Sequence, residues 1–157
     1  MGASIHTWDL PEQVCMPRGL AAVRGQVFIL YHPKRPSLER ASREAQAYER
    51  LRDHFGEMNL LIWVGEPFPP PPTEVRDVYA KAFRAGPPVS SVAWIVDTHL
   101  GTSGSVFTSI STQMFVPGTK VKVYREPFEA ASWLAGLENS KATVDAILDG
   151  LDALDRA

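Results

Sequence analysis

Cysteine is almost absent from this chain: Cys15 is the only one among 157 residues. A single thiol forms no disulfide within the chain and cannot supply a four-cysteine zinc site, which is typical of a reducing compartment. The formal net charge is only −2, so the positive excess that drives non-specific nucleic-acid binding is missing too. The opening residues lack a basic segment followed by an apolar run, and no apolar stretch has the length of a membrane helix. We therefore expect a cytoplasmic protein with neither a membrane span nor a nucleic-acid partner.

Familiar catalytic and metal-binding motifs are missing as well. The sequence contains no Gly-x-Ser-x-Gly elbow and no His-Glu-x-x-His pair, and Cys15 stands among apolar neighbours. Asp97 and His99 have the spacing of two metal ligands, but no pattern supplies the third or fourth that zinc requires. We therefore expect no metal and no cofactor, and a non-catalytic role is favoured over an enzyme.

Proline is the residue that the chain has in excess. Of the 13 prolines, five fall within residues 67–72, between a predicted central strand and a predicted helix. We interpret this cluster as a rigid rim of the fold. Because polyproline II segments are also recognised by aromatic grooves, four of its five prolines are candidates for partner contact: Pro69, Pro70, Pro71 and Pro72.

Strand and helix patterns alternate along the chain. Residues 19–31 predict a strand, bent at Gly25 into a hairpin whose partner lies near residues 5–8. Further strands are predicted at 59–65, 91–96 and 120–124, and helices at 37–54, 73–85, 106–115, 128–137 and 143–156. Ser37 and Thr73 are the predicted caps of the first two helices. The exposed face of the first helix is expected to carry Glu39, Arg40, Arg43, Glu44, Glu49 and Arg50.

This order predicts an α/β fold with a mixed, mostly parallel sheet of about five strands, joined by right-handed crossovers, with helices packed on it. Residues 1–138 form one domain in this interpretation, and residues 139–157 add an amphipathic C-terminal helix. The apolar stripe of that helix either packs on its own domain or contacts a partner, which includes a second copy in a homodimer. The stripe consists of Val144, Ile147, Leu148, Leu151 and Leu154.

A polar turn between the predicted strand at 91–96 and the following helix is the strongest candidate for a ligand site. Backbone N–H groups at the start of a helix attract anions, and glycines allow a ligand to approach closely. The turn lacks the ending of a P-loop and the spacing of a dinucleotide fingerprint, so the alternative is a helix cap made by Thr102, Ser103 or Ser105. The candidate residues are Asp97, Thr98, His99, Gly101, Thr102, Ser103, Gly104 and Ser105. Ser103 and Ser105 are also candidates for phosphorylation.

Several segments resemble the STAS-like, anti-sigma-factor-antagonist (SpoIIAA-like) group of bacterial domains. They are the strand Val-Ala-Trp-Ile-Val-Asp at 92–97, the helix end Gln-Met-Phe at 113–115, the edge strand Lys-Val-Lys-Val-Tyr at 120–124, and Ala-Ala-Ser-Trp-Leu at 130–134. The N-terminal segment, the proline cluster and the acidic C-terminal helix depart from that pattern.

The resemblance implies a non-catalytic regulatory or protein-interaction domain. Its partner is a protein of unknown identity, and in some members of the group a serine at a strand-to-helix junction is phosphorylated. The alternative is a small-ligand or anion-binding protein, or an enzyme, that uses the turn from Asp97 to Ser105 together with Glu66 or His99.

Overall fold

Strands and helices alternate along the chain in the order that the apolar patterns predict. The computed structural model describes residues 21–65, 71–96 and 103–156. These residues form β1 (Ala21–Arg24), β2 (Val27–His32), α1 (Leu38–Phe55), β3 (Asn59–Val64), α2 (Thr73–Arg84), β4 (Ser91–Ile95), α3 (Ser103–Met114), β5 (Lys120–Tyr124), α4 (Pro127–Ala135) and α5 (Val144–Arg156).

The strands form one mixed sheet in the order β1-β2-β3-β4-β5. β1 pairs antiparallel with β2, and β2 to β5 are parallel to one another. The continuous apolar runs of β3 and β4 place them in the interior of the sheet, because a parallel strand covered on both faces needs apolar residues at every position. The predicted α/β class and the mostly parallel sheet are therefore confirmed.

The hairpin between β1 and β2 turns at Gly25, as predicted, but its first strand is Ala21–Arg24. The expected partner at residues 5–8 is therefore wrong for this hairpin, and those residues lie outside the described part of the chain. Both strands lie within the segment at residues 19–31, because the chain reverses direction in the middle of it at a two-residue turn, Gly25 and Gln26. Gly25 has φ +56°, and a Cβ there would lie 2.3 Å from the carbonyl oxygen of Lys141.

Each face of the sheet has its own core. The crossover helices α1, α2 and α3 pack on the first face, where side chains such as Phe28, Leu60 and Trp94 are buried. Helices α4 and α5 pack on the second face, over side chains that include Leu61 and Ile95. The alternation of side chains along each strand supplies both cores from the same five strands.

The helix starts differ in detail from the prediction. Ser37 caps α1 as predicted, and its hydroxyl accepts from the backbone N–H three residues later. Thr73 is the first residue of α2 and not its cap; Pro72 precedes the helix, and its carbonyl accepts the first helical hydrogen bonds. α3 begins at Ser103 and not at Val106, so part of the predicted turn belongs to the helix.

α5 packs on its own domain. Ile147, Leu151 and Leu154 are buried against β1, β2 and α4, while Val144 and Leu148 pack at the margin of the same core. Of the two alternatives for this apolar stripe, the structure favours burial within the chain over contact with a partner. In the described part of the chain no helix, α5 included, combines the length and the apolar character that crossing a membrane requires.

Candidate functional site

The parallel strands β2 to β5 all end at one side of the sheet, which we call the carboxyl edge; the opposite side is the amino edge. α1, α2, α3 and α4 each follow one of these strands, so their first turns lie at the carboxyl edge. Helix N-termini carry partial positive charge and unpaired N–H groups. Open α/β sheets generally bind their ligands beyond the carboxyl ends of the strands, so this edge is where a functional site is expected.

The predicted ligand turn connects β4 to α3 at the carboxyl edge. Asp97, Thr98, His99, Gly101 and Thr102 lie outside the described residues. The backbone of Ser103, Gly104 and Ser105 forms the first turn of α3. The strand-to-helix placement is therefore confirmed, whereas ligand binding and phosphorylation at this turn stay predictions.

The large apolar side chains with the greatest exposure among the described residues are also found at the carboxyl edge. They are Leu38, 44% exposed, Val106, 37% exposed, and Phe128, 62% exposed. Leu38 is the first residue of α1, Val106 is the fourth residue of α3 and Phe128 is the second residue of α4. Three helices from both faces of the sheet thus present apolar side chains to solvent at the same edge.

Aromatic side chains extend this edge on the face covered by α4 and α5. Tyr31 pairs in register with Trp63, and their ring centroids are 4.7 Å apart. The same row continues through the buried Ile95 to Tyr124 on β5. Tyr31, Trp63 and Tyr124 are half-buried, so their rings are only partly covered by the helices. Tyr and Trp are enriched in protein interfaces because they offer a large, rigid contact area.

A buried polar cluster lies beneath the carboxyl edge on the other face; we call it the Glu44 cluster. The carboxylate of Glu44, on α1, is completely buried. It accepts from Nε2 of His32 at 2.9 Å, from Nε of Arg40 at 2.8 Å and from the hydroxyl of Tyr79 at 2.6 Å. Arg40 also donates to the backbone carbonyl of Tyr31. The cluster therefore connects the end of β2 to α1 and α2.

The electrostatics of the cluster keep Glu44 ionised. Burial alone raises the pKa of a carboxyl group, but the charges of His32 and Arg40 and the hydrogen bonds from His32 and Tyr79 outweigh it, so the pKa of Glu44 lies below 4.5. Burial and the adjacent Glu44 carboxylate raise the pKa of Tyr79 well above its ordinary value. Tyr79 therefore stays protonated and continues to donate its hydrogen bond.

The Glu44 cluster was not predicted from the sequence. Arg40 and Glu44 were expected on the solvated face of the first helix, which is wrong because both contribute to this cluster. The helical spacing contained a signal: Glu44 follows Ala41 by three residues and precedes Tyr48 by four, and both of these are buried. Glu44 has no exposed surface, and its oxygens are occupied by donors from the protein. We interpret the cluster as a structural joint between α1, α2 and the sheet.

A narrow cavity adjoins this joint under α2 and α3. His32, Pro36, Pro71 and Tyr79 line it together with apolar side chains of the first core, and its volume is about 20 Å³. That is room for little more than a water molecule, and the lining is almost entirely apolar. Pro71 is half-buried and Pro72 is exposed, while Pro69 and Pro70 lie outside the described residues. Pro71 thus forms part of the wall of this cavity, while the rim and the partner contact expected of the proline cluster stay predictions.

A second polar network lies at the amino edge. The side-chain amide of the buried Asn59 donates to the carbonyl of Gln26 and to Oδ1 of Asn139, and the amide of Asn139 donates to Oγ of Ser90. The backbone N–H of Gln26 donates to the carbonyl of Ser140 at 2.7 Å. These bonds hold the connection between α4 and α5 against the starts of β2, β3 and β4.

Neither network resembles a metal centre. Within residues 21–65, 71–96 and 103–156, no three His, Cys, Asp or Glu side chains are grouped so that they could hold a metal ion. No protein-family model, no curated protein and no solved structure matches this chain, so its function is inferred from its own residues.

Proposed function

We propose that this chain is a non-catalytic protein-interaction domain of the regulatory, STAS-like type, and that its carboxyl edge is the surface that binds the partner. The observation that carries the proposal is the shared location of Leu38, Val106 and Phe128. Single exposed apolar residues are common on protein surfaces and need no explanation. Leu38, Val106 and Phe128 come from separate helices that begin at one edge, beside partly covered aromatic rings, so one partner at that edge would cover them together.

The chemistry of this edge supports binding more than catalysis. In the described part of the chain, the Glu44 cluster brings ionisable side chains together beneath the edge. Glu44 is out of reach of a substrate, and His32 and Tyr79 are committed to it. The apolar side chains, by contrast, lose contact with water when a partner covers them, and that desolvation stabilises a complex.

Site-specific photo-crosslinking tests this proposal. A photoreactive amino acid replaces Phe128 in one variant and Glu138 in another, and both are expressed in the cell that makes the protein. Glu138 is exposed and lies at the amino edge, so it serves as the matched control. We expect a discrete cross-linked protein from position 128 that position 138 does not give.

The partner identified in this way is then purified and its affinity measured. Phe128→Ser and Leu38→Ser each weaken binding by about tenfold, as loss of a central apolar contact does. Glu138→Ser leaves the affinity unchanged, and all variants keep the thermal midpoint of the natural chain. Equal affinities for Phe128→Ser and Glu138→Ser, or identical cross-links at both positions, would refute the carboxyl edge as the binding surface.

A further inference from the structure

The two edge strands of the sheet differ in how well they are covered. On β1, Ala22 and Val23 are buried, and the side chain of Arg24 donates to the carbonyl of Val23. On β5, every residue from Lys120 to Tyr124 is exposed or half-buried. An open edge strand offers unpaired backbone groups to another strand. Among the described strands, β5 is therefore the one that is available for pairing.

The hydrogen bonds to β4 show which backbone groups of β5 are unpaired within the sheet. Lys120 N–H donates to the carbonyl of Ser90, and Val96 N–H donates to the carbonyl of Tyr124. In a parallel ladder, alternate residues bond to the same neighbour, so Lys120, Lys122 and Tyr124 face β4. The N–H and C=O groups of Val121 and Val123 point away from the sheet. A new strand would bond to these two residues.

A groove runs beside this edge on the side of α3; we call it the β5 groove. Its volume is about 380 Å³, and its lining includes Arg84, Ser111, Phe115, Val116, Thr119 and Val121. Val121 and Val123 are only partly covered by the first core. Because side chains alternate along a strand, every second side chain of an added strand would lie on the groove side of the sheet, and the one beside Val121 would enter the groove. Its lining combines apolar residues, among them Val116 and Val121, with polar ones such as Ser111 and Thr119, so it suits small side chains.

The other side of β5 carries two lysines, with the Glu129 carboxylate near Tyr124 at its end. Lys120 and Lys122 are exposed there, and the Lys122 ammonium lies 5.5 Å from the centre of the Trp133 ring. An added strand would set its remaining side chains opposite these lysines. Opposite charges at cross-strand positions stabilise a pair, and like charges destabilise it. The favoured occupant is therefore acidic on this side.

The same lysines disfavour two of the three antiparallel registers in which a second copy would pair with Val121 and Val123. A pair of β5 strands centred on Val121 or Lys122 places lysine opposite lysine, whereas one centred on Val123 places Lys120 opposite Glu126, beyond the end of the strand. Lysines at an edge are a common way of preventing self-association. They leave pairing open to a segment of opposite charge.

We propose that β5 is a docking strand for an extended acidic segment of a partner protein, which pairs with Val121 and Val123. The segment alternates apolar residues, which enter the β5 groove, with Asp or Glu residues, which face Lys120 and Lys122. This site uses the backbone of Val121 and Val123, whereas the proposed function rests on Leu38, Val106 and Phe128, so it can hold even where that function does not.

A peptide titration of the complete chain tests the proposal. The probe is a short synthetic peptide of alternating Glu and Val, and the comparison peptide alternates Lys and Val. Two-dimensional NMR and amide hydrogen exchange report on the backbone of β5. We expect the Glu peptide to shift the amide signals of Val121 and Val123 and to slow their exchange, while the Lys peptide leaves both unchanged.

Two pairs of variants separate backbone pairing from charge. Val121→Pro removes one outward N–H and keeps the ladder to β4, since proline is tolerated at a sheet edge; Val121→Thr is its control and keeps the N–H. Val121→Pro abolishes binding of the Glu peptide and Val121→Thr retains it. The double variant Lys120→Glu, Lys122→Glu binds the Glu peptide about tenfold more weakly. It binds the Lys peptide more tightly than the Glu peptide.

Several results would overturn the proposal. Equal binding of both peptides, unchanged Val121 and Val123 signals at saturation, or full binding by folded Val121→Pro would each do so. A dimer in light scattering that Val121→Pro dissociates would identify a second copy as the occupant instead. Phe128→Ser leaves the peptide affinity unchanged; if it abolishes binding, the peptide binds the carboxyl edge. Should Val121→Pro fail to fold, the lysine variants decide the outcome alone.

Discussion

Glu44→Gln is the substitution that most directly tests the Glu44 cluster. Glutamine has the shape of glutamate but no charge, and it keeps one acceptor oxygen for the hydroxyl of Tyr79. Its amide group then faces the donors of His32 and Arg40, which lose their charged partner. Removing one member of a buried ion pair costs about 3–5 kcal/mol. Because the Arg40 side chain is 14% exposed and retains some hydration, we expect the lower end, about 3 kcal/mol.

The assay is reversible unfolding, followed by tryptophan fluorescence in denaturant and by calorimetry. In a domain of this size, 1 kcal/mol changes the thermal midpoint by about 2–4 °C. The expected decrease is therefore about 6–12 °C. Glu49→Gln, on the same helix with a half-exposed side chain, is the matched control and changes the free energy of unfolding by less than about 0.5 kcal/mol. Equal destabilisation by the two variants would refute the structural role of the cluster.

The pH dependence gives an independent measure of the same group. The pKa of Glu44 in the folded chain lies below 4.5, its value in an unfolded chain. The stability that its ionisation contributes is therefore fully present above pH 4.5 and decreases as the pH falls through the folded-state pKa. Glu44→Gln lacks this contribution, so the difference in the free energy of unfolding between the natural chain and the variant becomes smaller in acid. A difference that stays constant from neutral pH to strong acid would contradict this assignment.

Two further substitutions test other contacts of the fold. Gly25→Ala is expected to destabilise the chain by about 2 kcal/mol or more, because φ is +56° and the added Cβ meets the Lys141 carbonyl; Gly118→Ala, with no atom within 4 Å of its Cβ, is the control. Equal unfolding midpoints for these two variants would contradict the turn geometry. Ser111→Ala removes the buried partner of the Trp94 indole N–H, now bonded at 2.8 Å, and costs about 1–3 kcal/mol in denaturant unfolding. An unchanged free energy there would mean that the indole finds another acceptor.

The parts of the fold that the sequence predicts well are those set by local chemistry. β3 and β4 are recognisable because burial on both faces requires apolar residues at every position. The cap at Ser37 is recognisable because a hydroxyl at that position satisfies a backbone N–H of the first turn. The amphipathic period of α5 identifies a helix that needs a surface to cover, although it does not say which one.

The features that escape prediction depend on contacts between distant segments. Glutamate is usually found at the surface. The burial of Glu44 becomes favourable only because His32, on β2, and Tyr79, on α2, donate hydrogen bonds to it. The shared edge of Leu38 and Phe128 depends on strand order, since their helices lie on opposite faces of the sheet. The outward direction of the Val121 N–H and C=O depends on which strand ends the sheet of the described residues, and that is a property of topology and not of local sequence.

The division of the sheet into two separately covered faces affects synthesis as well as stability. The helices of the first face alternate with the strands, so that face is complete once β5 leaves the ribosome. The second face, with Leu61 and Ile95, receives its cover only when α4 and α5 follow. During that interval the nascent chain exposes an apolar sheet surface, which is the kind of surface that chaperones bind and that aggregates. The speed at which the last two helices emerge therefore bears on the yield of folded protein.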